Sequence, residues 1–218
     1  MKPDLTFRES LLAPVVSATA VLGAGLIVFA SIAPGPLSIQ MAQHLIVMNV
    51  LAPLLAALLH RRMSRPVGSG LFWGATLGQV ALLWIWHAPS VQTEAAASLP
   101  VHLALMSALL VVSTGFWLFV LDGGWRALAG LLITGKLACL LGALMIFAAR
   151  DIYLLTGLAL PFCSTGPSSL EDQHMAGLLM VTACPLSYLV AGVVLIAQLF
   201  GRLECLSQAE HHVRAQRS

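Results

Sequence analysis

The sequence predicts an all-α membrane protein: one bundle of six transmembrane helices with both termini in the cytoplasm. Three observations predict it. Of the 218 residues, 59% are hydrophobic and only 9% charged, with a mean hydropathy of +0.91, whereas an ordinary soluble domain is roughly 25% charged. The apolar residues fall in runs near the ~20 residues that a helix needs to cross the hydrocarbon layer. No period-two alternation competes with the helical reading. The chain reads as a single transmembrane domain, residues 1–218, without internal repeats.

The first span covers about 11–33. It follows Lys2 and Arg8, as a secretory leader would, but its apolar run exceeds the ~7–15 residues of a cleaved leader core, so it reads as a retained helix that stops at Pro34-Gly35-Pro36. The second span, about 38–59, ends at His60-Arg61-Arg62. The third, about 70–87, is closed by Pro89, and the fourth, about 99–121, precedes Asp122-Gly123-Gly124. The fifth covers about 127–149 and the sixth about 173–200, followed by a basic tail, 201–218.

Lys and Arg set the orientation, because they concentrate in cytoplasmic loops. With the N-terminus inside, Lys2, Arg8, Arg61, Arg62, Arg65, Arg126, Arg202, Arg214 and Arg217 are all cytoplasmic, only Arg150 is outside, and Lys136 lies within a helix. The opposite orientation places nearly every positive charge on the wrong side. The net charge of +2 is distributed over these helix ends and forms no nucleic-acid-binding patch.

That orientation gathers four histidines near the outer face. His44 lies roughly 9 Å below the outer end of its helix, at 1.5 Å per residue. His87 ends the third span, His102 opens the fourth and His174 opens the sixth. Met41 and Met48 share a helical face with His44 and Gln40, and Met106 stands one turn below His102. Polar groups on a spanning helix are costly unless they serve a purpose, and imidazole with thioether is a ligand set for copper, above all Cu(I). His44, His87, His102 and His174, with Met41, Met48 and Met106, are therefore the expected metal ligands.

Several of these stretches resemble the multi-pass CtaG family of cytochrome c oxidase assembly factors. QMAQHLIVMNVLAPLL (40–55) is similar to its second-helix signature, LLWIWHAP (82–89) to its Leu-Trp-His segment, VHLALMSALL (101–110) to the next helix, and SSLEDQHMAGLLM (168–180) to its Asp-Gln segment. The resemblance covers about Ile32 to Phe200. Two positions depart from it: Gln40 and Met106 stand where the family often has histidine. The resemblance implies a non-enzymatic assembly factor in a bacterial inner membrane. It would handle copper at the periplasmic face, with oxidase subunits or copper chaperones as partners. A membrane haem-b protein with bis-histidine ligation and a copper transporter are the alternatives. An intramembrane hydrolase lacks a Ser-His, Asp-Asp or HExxH pair at one depth.

Gln40, Asp172, Gln173 and Lys136 are expected as supporting or structural polar residues. Asp172 suits the N-terminus of the sixth helix, where a carboxylate accepts orphan N–H groups, or it orients a nearby histidine. Lys136, deep in the fifth span, either snorkels, pairs or functions. Trp73, Trp84, Trp86, Trp117 and Trp125 read as an interfacial belt. Cys139 and Cys184 read as small buried hydrophobes, Cys163 and Cys205 show no obvious partner, and Pro53 permits a bend below the His44 stripe.

Overall fold

Pro36 occupies the first turn of a 25-residue helix, α1 (Pro36–His60), where a missing N–H costs nothing. The structure is a computed structural model that describes residues 35–60, 62, 69–155 and 168–215, with isolated positions 20, 23, 24 and 27. The expected first span, Cys163, and the side chains of Cys205, His211 and His212 lie outside the described residues. Five further helices follow: α2 (Ser69–Trp86), α3 (Pro89–Ala97), α4 (Leu99–Asp122), α5 (Trp125–Phe147) and α6 (Leu170–Ala215). Among the described residues the protein is all helical. Four helices are long and apolar enough to cross a membrane: Pro36–His60, Leu99–Asp122, Trp125–Phe147 and Leu170–Gly201. The apolar stretch of α2, Gly70–Trp86, is shorter. These make the chain a membrane protein.

Glycines set the tight places. Gly123 and Gly124 turn α4 into α5 at φ of 74° and 98°, a region that side-chain-bearing residues avoid. Where α5 crosses α6, a Cβ on Gly142 would come within 2.8 Å of the Gly177 carbonyl, and one on Gly177 equally close to the Gly142 carbonyl. The two backbones touch there, and α6 packs along α5 and also against the N-terminal half of α1. Helix α4 is the hub of the other side, contacting α1, α2, α3 and α5.

Two prolines alter their helices without ending them. Pro53 has no N–H for the Asn49 carbonyl, and Val47–Leu51 adopts π-helical turns, with the Ala52 N–H bonded to the Val47 carbonyl. The Trp117 indole N–H caps the Met48 carbonyl at 2.8 Å. Pro185 lies inside α6 and frees the Val181 carbonyl, which receives the Cys139 thiol at 3.9 Å.

Three differences from the sequence reading stand out. The segment after Pro89 forms the short helix α3, started by its proline at the first turn. Helix α6 runs on to Ala215 instead of giving way to a tail near residue 200. Trp86 and Trp117 do not face the bundle's exterior: both are buried core residues, while Trp125 is exposed. Their indoles fill space between helices, where a large flat apolar ring makes more contact than it would at a helix end.

Candidate functional site

Helix α1 brings Gln40, Met41, His44 and Met48 to its buried face, all at 2% exposure or less. The end of α2 brings Trp86 and His87, and the first turn of α4 brings His102. These residues meet. His44 stands edge-on to Trp86 with ring centroids 4.1 Å apart and to His87 at 5.6 Å. His102 also meets Trp86, with ring centroids 5.6 Å apart. Three of the four expected histidines thus gather in one buried cluster, His44 and His102 against Trp86 and His87 against His44.

The protonation pattern of His87 is informative. Its Nδ1 lies 2.6 Å from the Leu83 carbonyl, so Nδ1 carries the proton and donates it. A neutral ring then presents a lone pair at Nε2, which lies 3.2 Å from the Met41 sulfur. Two electron-pair donors face one another with no proton to share. Next to them both ring nitrogens of His44 lack a partner within the described residues, as does the Trp86 indole N–H. Buried polar atoms almost always find partners, so this concentration of unsatisfied groups marks a place for something else.

The remaining expected residues divide. His174 joins none of these ring contacts; it is half-buried, with Nε2 3.5 Å from the Ala148 carbonyl. Met106 is half-buried and packs on the core. Gln40 receives the Gln92 amide from α3, while its own Nε2 and the Gln92 Oε1 have no partner among the described residues. Among the described residues no group of three or more His, Cys, Asp or Glu could hold a metal ion. The converging donors are instead a mixed imidazole and thioether set.

Asp172 caps a helix, though not its own. Its carboxylate accepts the N–H groups of Leu37 at 2.8 Å and Ser38 at 3.0 Å, at the start of α1. The first turn of α6 is capped by Ser169, whose hydroxyl receives the Asp172 N–H at 3.1 Å. Gly35 is required there because a Cβ would lie 2.4 Å from the Asp172 carboxyl carbon. Gln173 holds the far end of α5 by donating to the carbonyls of Met145 and Arg150 and accepting the Ile152 N–H. Lys136 is exposed on the outer face of α5, away from this cluster's buried core.

The segment after α5 reaches the end of α2 at His87. Asp151 accepts the N–H groups of Tyr153 and Leu154 and the Ser168 hydroxyl, and the Tyr153 hydroxyl reaches the His87 carbonyl at 3.3 Å. Burial, and then the Asp151 charge, push the Tyr153 phenol up to about 12, so it remains a donor at neutral pH. Sequence reasoning missed Trp86, Gln92 and Tyr153 as parts of this site. Only Trp86 carried a usable signal, its place directly before His87.

The family model described as cytochrome c oxidase caa3 assembly factor (Caa3_CtaG) matches residues 55–202, more than half of the chain. The chain belongs to that family. The matched Caa3_CtaG region contains His87, His102, Met106 and His174, whereas Met41, His44 and Met48 precede it. No curated relative and no solved structure matches the chain.

Proposed function

We propose that this cytochrome c oxidase assembly factor binds copper transiently as cargo, at the outer end of its helices, and passes it toward the oxidase. The observation that carries the reading is the pair of lone-pair donors, His87 Nε2 and Met41 Sδ, 3.2 Å apart, beside His44, whose ring nitrogens have no partner among the described residues. Imidazole with thioether suits Cu(I) better than a hard cation, so the residues fit the ion that the family's role suggests. His44, His87 and Met41 would hold it. His102 stands across Trp86, and Met48, Met106 and His174 are reserve donors for entry or transfer. The role is delivery without turnover. Its partners would be oxidase subunits or copper chaperones.

The proposed topology follows the charge distribution: six spans in a bacterial inner membrane, termini cytoplasmic, histidines periplasmic. The C-terminal ends of α1 and α4 meet, with His60 and Asp122 3.6 Å apart. A bis-histidine haem b is less well supported, because His44 and His102 both pack against the Trp86 ring. The test is Cu(I) titration of the purified protein against a chromogenic Cu(I) chelator. One tight Cu(I) per chain, weakened in His44→Ala, His87→Ala and Met41→Leu, supports the reading. Absence of Cu(I) binding together with a Soret band would replace it with the haem one.

A further inference from the structure

Lys136 lies at the midpoint of α5, eleven residues from Trp125 and eleven from Phe147, so its Cα is roughly 16 Å from either end of the helix. It is exposed, and among the described residues its ammonium has no hydrogen-bond or ion-pair partner. It borders a groove of about 600 Å³ between α5 and α6 whose walls are otherwise chiefly apolar, including Leu132, Leu186, Leu189, Val193 and Ile196. Gly192 also lines the groove, and a Cβ there would meet nothing within 4 Å.

An ammonium at this depth is costly in hydrocarbon unless it is paired. Its stem covers only part of the distance to the headgroups, so a lipid phosphate would have to sink deep into the apolar layer to meet it. This chain has no suitable carboxylate of its own. Its nine Asp and Glu are residues 4, 9, 94, 122, 151, 171, 172, 204 and 210, and none lies within a span interior. The apolar run 11–33 carries no charge at all, so it could fill the groove but would leave the ammonium unpaired.

We propose that the groove between α5 and α6 docks a transmembrane helix of another chain, one that carries an Asp or Glu at mid-membrane depth opposite Lys136. The apolar walls supply the contact area, Gly192 admits close approach, and the ion pair fixes the depth of the incoming helix. The surface is independent of the histidine cluster, so this inference stands apart from copper binding.

The test uses the full-length protein reconstituted in vesicles with a labelled synthetic Leu/Ala helix of about 24 residues bearing one central Glu, and a matched helix bearing Gln. Energy transfer from a donor placed near the end of α5 reads association. Association about tenfold stronger for the Glu helix, lost in Lys136→Met and kept in Lys136→Arg, is the expected result. Equal association of the two helices, or no effect of Lys136→Met, overturns the proposal. In cell membranes, a photoreactive residue at Leu189 should crosslink to a transmembrane peptide containing Asp or Glu, and that adduct should vanish in Lys136→Met. Adducts confined to lipid or to residues 11–33 of the same chain overturn it as well.

Discussion

Asp172, in the first turn of α6, accepts the N–H groups of Leu37 and Ser38 at 2.8 and 3.0 Å, tying the helix that bears His174 to the helix that bears Met41 and His44. Ser38 returns the contact, its hydroxyl donating to the Asp172 carbonyl at 3.1 Å. One carboxylate thus serves the orphan donors of a helix far away in sequence and fixes the N-terminal ends of two helices together.

Asp172→Ala should lower stability by about 1–2 kcal/mol, the usual cost of losing a helix cap, with Asp172→Asn between it and wild type. Gly35→Ala should be comparably harmful, since its methyl would overlap the Asp172 carboxylate. Thermal unfolding of the detergent-solubilised protein, followed by loss of the monodisperse peak, checks both.

The α5–α6 crossing predicts a second stability series. Gly142→Ala or Gly177→Ala forces two touching backbones apart and should cost about 1–3 kcal/mol, the usual penalty for overpacking. Gly192→Ala, with open space around it, should leave unfolding unchanged. The same thermal assay distinguishes them.

Tyr153 gives a pH signature. Its phenol is pushed up to about 12, first by burial and then by Asp151, above the ordinary value near 10. The folded state therefore binds this proton more tightly than the unfolded state does. The resulting stabilisation is fully present below pH 10 and is lost as pH rises from 10 to 12. Tyr153→Phe should remove that part of the alkaline decline and cost about 1 kcal/mol at neutral pH through the lost bond to the His87 carbonyl. Chemical denaturation across this pH range, with phenolate absorbance as the companion signal, reads it.

Much of this was legible in the sequence because the bilayer imposes simple rules. Length and apolarity located the apolar spans from Pro36 onward to within a few residues, though not the continuation of α6 to Ala215, and the 3.6-residue period put Met41, His44 and Met48 on one face. Local rules failed where partners come from far along the chain. Asp172 has the composition of a cap for its own helix, and nothing near it points to Leu37. Trp86 looked interfacial because it stands at a helix end, yet α1 and α4 enclose it. Helix α3 escaped notice because PSVQTEAAA is too short and too polar to register as a span, although its Gln92 reaches Gln40. Lys136 was recognisable as costly from sequence, but only the packing of α5 on α6 shows that no described residue pairs with it.

The central claim is that His44, His87 and Met41 hold copper on its way to the oxidase. Copper per oxidase complex, measured in membranes of a deletion strain carrying either the wild-type protein or His44→Ala at equal abundance, tests it most directly. The account predicts an under-metallated oxidase with His44→Ala and full metallation with wild type. A fully copper-loaded oxidase in the His44→Ala strain would contradict it.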